Sequence, residues 1–198
     1  MSRVLFLIIG LIFISGCSIK EVDKPIKSYM ISNYGIESGL KDGSKVLKIE
    51  RFKSPAYLDS RYIWYKRAKG EVNPYAYAQW SENFGNILLN NLTETLYKSK
   101  IFKSVFMKYS KIDPDFILEG EIDKAIQNIK DNSSSVDFGI RLYLIRRSDS
   151  KLIGSKYFSY SIVCNEVSSK GAVEAYDKII KKLNKDVIKW LKTLVQES

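Results

Sequence analysis

The stretch VDFGIRLYLI, residues 136–145, decides the fold class of this chain. Its apolar side chains fall on every second residue from Val136 to Leu144, which is the period of a β-strand with one buried face. Segments with strand character lie on either side of it, and short polar turns separate the three. The sequence therefore predicts an antiparallel meander with strands at residues 115–130, 136–147 and 152–164.

Shorter strands are predicted nearer to the amino terminus, at residues 28–32, 46–52 and 61–66. The last of them, RYIWYK, carries large apolar side chains on both of its alternating faces. Tyr62 and Trp64 share one face, and Ile63 and Tyr65 share the other. We expect such a strand to be covered on both sides or to offer one side to a partner.

Two helices are predicted from apolar residues that recur every three or four positions. The first begins with Asn73 as N-cap and Pro74 at the first helical position, and it continues to about Lys98. The second covers residues 172–194 and has an apolar side opposite a lysine-rich side. The lysines of that side are Lys178, Lys181, Lys182, Lys185, Lys189 and Lys192. Together these elements predict an α+β fold, a two-layer sandwich with two main helices on one face of a mostly antiparallel sheet of five or six strands.

The first residues are typical of an exported protein. Val4–Ile14 is an apolar run shorter than the roughly 20 residues of a membrane span, and it fits the core of a signal peptide of residues 1–16. Ile14-Ser15-Gly16-Cys17 resembles the bacterial lipobox, in which the cysteine is acylated before cleavage. We therefore predict lipidation of Cys17, because two or three acyl chains hold a protein at a membrane permanently. Ser18 follows Cys17 directly, and this resemblance to sorted lipoproteins implies that the protein is anchored in the outer membrane.

The remaining sequence predicts one domain without catalytic machinery. Residues 17–27 are polar and predict an acylated start and a flexible tether, and residues 28–198 predict a single periplasmic domain. The chain contains no histidine, which excludes Ser-His-Asp and Cys-His nucleophiles and every zinc site that needs imidazole. Cys164 has no disulfide partner once Cys17 is acylated, and we expect it to be a buried, inert thiol. We expect no cofactor, no metal and no enzymatic activity.

The net charge of the chain narrows the range of expected binding partners. The formal net charge is +10, and it includes Arg3, so the chain without its signal peptide carries +9. In an exported protein this basic character points to phospholipid headgroups, lipopolysaccharide or acidic protein surfaces, and no nucleic acid partner is expected. The lysine-rich side of the second helix is the candidate contact for anionic headgroups, with a solvated helix face as its alternative.

Two further groups of side chains are candidate sites. Tyr57, Tyr62, Trp64 and Tyr65 are candidates for contact with a partner or a second subunit, because tyrosine and tryptophan dominate interface hot spots. Packing in the core is the alternative for this aromatic stretch. The carboxylates of Glu119, Glu121 and Asp123 are expected to share one face of a strand. A pair of carboxylates such as Glu119 and Glu121 can act as acid and base in a glycosidase. An exposed or salt-bridged face of the strand is the simpler interpretation.

The order of elements behind the lipobox resembles the auxiliary lipoproteins of ABC-type lipid transport systems, the PqiC-like family that works with MCE proteins. The most specific part is residues 54–65, SPAYLDSRYIWY, which matches a Pro-x-Tyr-Leu start followed by Ile-x-Tyr. Tyr29-Met30-Ile31 fits an early strand of the family, and Tyr75–Trp80 fits its aromatic-to-Trp helix opening. Gln79 stands where the family often has arginine.

The resemblance implies an outer-membrane-anchored adaptor on the periplasmic face, held by its lipid anchor and docked on the MCE-domain protein of an ABC lipid transporter. It also allows a homo-oligomer. Two other functions stay open at this point. One is a lipoprotein that assists lipopolysaccharide or outer-membrane assembly through a barrel partner, and the other is a hydrolase of cell-wall sugars that uses Glu119 and Glu121.

Overall fold

The computed structural model describes residues 24–32, 43–67, 70–107 and 111–196. The signal peptide, Cys17 and Ser18 lie outside these residues. Within them the chain forms eight strands and two helices in an α+β fold. In chain order these are β1 (Lys27–Tyr29), β2 (Val46–Ile49), β3 (Tyr62–Lys66), β4 (Val72–Trp80), α1 (Phe84–Lys98), β5 (Ser104–Met107), β6 (Phe116–Lys130), β7 (Ser133–Arg146), β8 (Lys151–Val163) and α2 (Ser169–Gln196).

The predicted meander is confirmed in β6, β7 and β8. The β6–β7 pairing is antiparallel from Phe116 opposite Arg146 to Lys130 opposite Ser133. Only Asp131 and Asn132 form the turn between them, with Asp131 at a φ of 51°. The residues of β7 that face the helices are fully buried, namely Val136, Phe138, Ile140, Leu142 and Leu144. The alternation in the sequence therefore reports the core face correctly.

Both helices pack on this buried face of the sheet. The Phe84 ring of α1 meets the Phe138 ring of β7 with centroids 6.2 Å apart. The Trp190 ring of α2 meets Phe158 of β8 at 5.8 Å, in an edge-to-face arrangement. Tyr176 of α2 is buried against the rings of both Phe84 and Trp80. The core is thus a layer of aromatic and aliphatic side chains between two helices and a sheet.

The sheet forks along one edge of β6. Its first half pairs with β2, where Leu47–Ile49 lie opposite Phe116–Leu118. Its second half pairs with β3, where Tyr65 lies opposite Gln127. From the fork one arm continues to β5, and the other continues through β4 to β1. We call the second arm, made of β1, β3 and β4, the aromatic arm.

The sheet differs from the prediction in size and direction. It has eight strands where five or six were expected, and β1–β4, β2–β5, β2–β6 and β3–β6 are parallel pairs, so it is mixed rather than mostly antiparallel. The strand Ser104–Met107 was not predicted at all. Parallel neighbours lie far apart in the chain, and local alternation carries no signal of which distant segment will join them.

The first helix begins ten residues later than predicted. Residues Val72–Trp80 form β4, and the true N-cap is Asn83, whose side chain accepts a hydrogen bond of 2.9 Å from the Gly85 N–H. Pro74 fits β4 because β1 pairs only with Ala78–Trp80, which leaves that edge of the strand free where the proline lacks its N–H. The segment likened to a helix opening is therefore strand.

Candidate functional site

The segment before β3 lies at the fork of the sheet. After β2 the chain stays beside β6 as far as Lys53, which bridges to Glu121. It then leaves the edge in a turn of 3-10 helix, Ala56–Leu58, whose Leu58 is buried. Asp59 accepts from Arg51 at 2.9 Å and from Asn83 at 2.6 Å, which ties this turn to the start of α1. The turn places Tyr57 beside β3.

Three of the four aromatic residues singled out in the sequence lie together, and we call Tyr57, Tyr62 and Trp64 the aromatic cluster. The Trp64 ring is edge-to-face with both tyrosines, and each pair of centroids is 5.8 Å apart. The indole N–H of Trp64 donates to Ser60 Oγ at 3.4 Å, so the ring is oriented by a polar contact as well. Tyr62 is 51% exposed while Trp64 is half-buried. The cluster is thus an ordered aromatic surface open to solvent.

The surroundings of the Tyr57 phenol raise its pKa above the ordinary value. Partial burial raises the pKa of Tyr57, and the nearby Asp123 carboxylate raises it further, while a hydrogen bond with the Ala125 backbone acts in the opposite direction. A neutral phenol suits a contact surface because it can pack its ring and still donate its O–H to a partner.

Tyr65 lies apart from the aromatic cluster, as the alternation of β3 predicted. Its ring packs on Tyr75 with centroids 4.8 Å apart. Tyr75 in turn donates its O–H to Gln127 Oε1 at 2.6 Å, and burial raises the pKa of Tyr75 to about 12. Gln127 is fully buried and its amide donates to Ser134 Oγ at 2.8 Å. Tyr65 therefore covers a structural hydrogen-bond network.

Sequence reasoning missed further exposed apolar residues on the aromatic arm. Tyr77 is 55% exposed and Met30 is 76% exposed. Tyr77 was assigned to the apolar side of a helix, so its outward position on β4 could not be foreseen. Tyr62 and Tyr77 are exposed on β3 and β4 of the aromatic arm, whereas Met30 follows β1 and lines a groove with Ile87 and Asn90 of α1. The exposed residues on and beside this arm are Ile26, Met30, Tyr62, Val72 and Tyr77.

The lysine-rich side of α2 faces solvent, as predicted. Five of its lysines are exposed, and Lys192 is partly buried beside Ile101 and Val195. The opposite side of the helix is buried through Tyr176, Ile180, Leu183 and Val187. In the described part of the chain, neither helix is long and apolar enough to cross a membrane. The lysines therefore lie on a helix that rests on the sheet.

The three carboxylates of β6 share the sheet face opposite the helices, and all three are exposed. Glu119 and Glu121 border an open groove of about 540 Å³ with Arg51, Lys53 and Tyr143. Asp123 accepts from the Tyr157 O–H at 2.7 Å. No group of three or more histidine, cysteine, aspartate or glutamate side chains among the described residues is placed to hold a metal ion. In the part of the chain that the structure describes, the groove beside Glu119 and Glu121 is open to solvent.

Cys164 is partly buried directly after β8. Its sulfur lies 3.6 Å from the Gln127 amide nitrogen, which donates to it, and it packs against the edge of the core. The thiol thus belongs to the hydrogen-bond network around Gln127 and is less enclosed than the sequence indicated.

Comparison with known proteins identifies the family. A family model described as ABC-type transport auxiliary lipoprotein component matches residues 35–188. This span includes β2 to β8 and most of α2, so the match rests on most of the globular part. The resemblance drawn from the SPAYLDSRYIWY segment is confirmed by it. No curated protein matches the sequence.

Solved structures share the fold at low sequence identity. Protein XCC0632 from Xanthomonas campestris superposes with a TM-score of 0.79 at 14% identity, covering 86% of this chain and 97% of its own. An uncharacterized protein follows at 0.67 and 12% identity, over 84% of this chain and 99% of its own. The hypothetical protein CT253 from Chlamydia trachomatis reaches 0.52 at 9% identity, over 79% and 100%. At such identities the likeness concerns the fold alone.

Proposed function

The chain belongs to the family of ABC-type transport auxiliary lipoprotein components, and from this premise we propose that it is an outer-membrane-anchored periplasmic adaptor of an MCE-type phospholipid transport system. It acts by docking to the MCE-domain protein and performs no chemistry itself. The observation that carries the docking surface is the aromatic arm, where Tyr62 is more than half exposed against an ordered Trp64 and Tyr77 of β4 is also more than half exposed.

The aromatic arm has the physical character of an interface. Aromatic side chains contribute large contact area at low cost in conformational entropy, and they are enriched at binding hot spots. The edge-to-face contacts of Trp64 with Tyr57 and Tyr62 fix the rings before any partner arrives. Because the rings are already ordered, less side-chain entropy is lost on binding.

The anchor of this adaptor is the acylated Cys17. From Ser18 to Ile26, before β1 begins at Lys27, the tether has nine residues, which reach at most about 30 Å when extended. This length keeps the globular part close to the membrane surface. There Lys178 and Lys185, which are exposed on α2, contact anionic headgroups, and each contributes about 1 kcal/mol when near the surface.

Co-purification from crosslinked envelopes tests the docking. The full chain with both Tyr62→Ala and Tyr77→Ala is compared with the chain carrying Tyr97→Ala. Tyr97 is 50% exposed on α1, away from the aromatic arm. Its substitution therefore removes an exposed ring of the same kind from a different surface. We expect the unsubstituted chain and Tyr97→Ala to recover an MCE-domain protein and the double variant to lose it.

Recovery of a barrel partner in place of any MCE-domain protein would support the rival function in outer-membrane assembly and overturn this one. Equal recovery by the double variant and the Tyr97→Ala chain would keep the function and reject the aromatic arm as its docking surface. Thermal unfolding of all three chains controls for folding.

A further inference from the structure

We propose that the outer edge of β8, with the basic groove beside it, binds an extended acidic segment of a partner protein as an added β-strand. The inference deepens the proposed function and rests on it for the identity of the partner, which would be a protein of the transport assembly. The groove itself is argued below from the geometry of β8 and α2.

The first observation is an unpaired strand edge. Within the described residues β8 pairs with β7 alone, along Lys151–Val163, which is 13 residues. The strands at the other ends of the sheet are much shorter, with three residues in β1 and four in β5. Unpaired N–H and C=O groups along a strand edge are a template for an added strand. The β8 edge is thus the longest one that this sheet offers.

The second observation is a basic groove that runs beside this edge. It lies between β8 and α2, has a volume of about 570 Å³, and is bordered by Lys156, Lys182 and Lys189. Its apolar wall includes the Phe158 and Trp190 rings. The ammonium groups of Lys156 and Lys182 lie 5.2 Å and 5.4 Å from the centroids of the Phe158 and Tyr160 rings. These contacts hold two cations over the groove.

The Asp186 carboxylate within the groove is hydrogen-bonded to a neighbouring tyrosine. Asp186 accepts a hydrogen bond of 2.8 Å from the Tyr160 O–H. Burial, followed by the Asp186 carboxylate, raises the pKa of Tyr160, so its phenol keeps the proton that makes this bond. The groove contains three lysines and one carboxylate, so its net charge is positive.

The alternation of β8 favours an acidic strand as the occupant. Lys156, Phe158 and Tyr160 point to the helix side of the sheet, since their partners on β7 are residues that face the helices. Every second side chain of a strand added to β8 would point to the same side and meet the lysines. Cross-strand pairs of opposite charge stabilise a sheet, whereas like charges placed opposite each other destabilise it.

The same charges disfavour a second copy of the chain that pairs through its own β8 about a twofold axis. Two β8 strands paired about a twofold axis would bring the Lys156 and Lys189 groups of both copies to one seam. An anionic lipid headgroup could satisfy the lysines, but it would leave the backbone edge of β8 unpaired. The strand edge is therefore what selects an extended protein segment.

A peptide titration on the acylated full chain in detergent tests the groove directly. The probe is a fluorescent ten-residue peptide of alternating glutamate and valine, and a lysine-valine peptide is its control. We expect the acidic peptide to bind and to slow hydrogen exchange of β8 amides. The double variant Lys156→Glu/Lys189→Glu should weaken binding by about tenfold or more, because close charge pairs across an interface are strongly coupled.

The matched control is Lys178→Glu/Lys185→Glu, which makes the same change in net charge on exposed positions of α2 outside the groove. We expect it to weaken binding far less. Equal weakening by both double variants, or binding without protection of β8 amides, would show general charge attraction and overturn the proposal. If the groove variant fails to fold, the amide protection of the unsubstituted chain decides.

Two other occupants have their own outcomes. Binding of phosphatidylglycerol vesicles that depends on Lys156 and Lys189, with no peptide binding, would assign the groove to lipid headgroups. Self-association that protects β8 amides would assign it to a second copy. Either result overturns the proposal. Peptide binding with no recovery of an MCE-domain protein from envelopes would keep the groove and reject the function on which the partner's identity rests.

Discussion

The meander and the aromatic arm are built differently although they belong to one sheet. In the meander, strands of 13 to 15 residues pair along almost their whole length, and one face of β7 is completely buried. In the aromatic arm the strands have three, five and nine residues, and the β3–β4 register is interrupted between Tyr62 and Trp64. Both regions expose some large apolar side chains, Tyr62, Val72 and Tyr77 on the arm and Leu152, Tyr157 and Val163 on β8, but among the described residues only the arm carries its exposed rings beside an ordered aromatic cluster.

The two regions therefore differ in role, since one stabilises the fold and the other provides a contact surface. The meander and α2 contribute most of the buried apolar layer, so substitutions there should unfold the chain. The aromatic arm retains apolar groups that stabilise the monomer little, which is the character of a surface kept for a partner. Each prediction below compares a site of one kind with a site of the other.

The largest effect is expected for Phe138→Ala in the centre of β7. Phe138 is fully buried and contacts the Phe84 ring, so its removal leaves a cavity that costs about 3–5 kcal/mol of unfolding free energy. Tyr62→Ala on the aromatic arm should cost only about 0.5–1.5 kcal/mol, because the half-exposed ring loses little more than its edge-to-face contact with Trp64. Urea unfolding followed by circular dichroism measures both. Similar losses of unfolding free energy in the two variants would contradict the division between a stabilising meander and a contact-forming aromatic arm.

Gln127→Leu should give the next largest effect, about 1–3 kcal/mol, because the partly buried Tyr75 O–H and the buried Ser134 then lose their partner. Tyr75→Phe removes the donor of the same hydrogen bond. We expect the double variant to be less destabilised than the sum of the two single losses, since the residues share one network. Additive losses in a double-mutant cycle would show that the network does not act as a unit.

Asn83→Ala should cost about 1 kcal/mol, the usual effect of losing an N-cap. Asn73→Ala lies in β4, where no helix begins, and should change the unfolding free energy by less than about 0.5 kcal/mol. Thermal unfolding of the two chains tests the corrected start of α1. A larger loss at Asn73 would place the helix start where the sequence pattern first indicated it.

The smallest effect is expected for Glu119→Gln with Glu121→Gln. Both side chains are exposed on the open face of the sheet, so we expect no change in stability and no change in any phenotype that deletion of the gene causes. Complementation of a deletion strain is the measurement. Loss of complementation with normal folding would revive the hydrolase hypothesis.

The meander and α2 could be predicted because their burial follows a regular period. From Val136 to Leu144 each alternate residue is apolar and buried, and in α2 the apolar and lysine-rich sides are well separated. The start of α1 was misplaced because Tyr77, Trp80 and Phe84 are spaced like a helix side. Strand β4 in fact ends at Trp80, and α1 begins four residues later, at Phe84.

The candidate site could be predicted only in part. Alternation in β3 gave the shared face of Tyr62 and Trp64, and their rings are in contact. The fork that places Tyr57 against Trp64 depends on β2 and β3 pairing with the two halves of β6, which no local pattern reveals. The buried Gln127 network also escaped notice, because a glutamine on a strand carries no mark of its burial.

Site-specific photocrosslinking in living cells tests the central claim most directly. A photoreactive residue replaces Tyr62 on the aromatic arm or, in a second strain, Tyr97 on α1, and the crosslinked proteins are identified by mass spectrometry. The account predicts that position 62 captures an MCE-domain protein and that position 97 does not. Capture of an MCE-domain protein from position 97 alone, or of none from either position while the chain is acylated and folded, would contradict it.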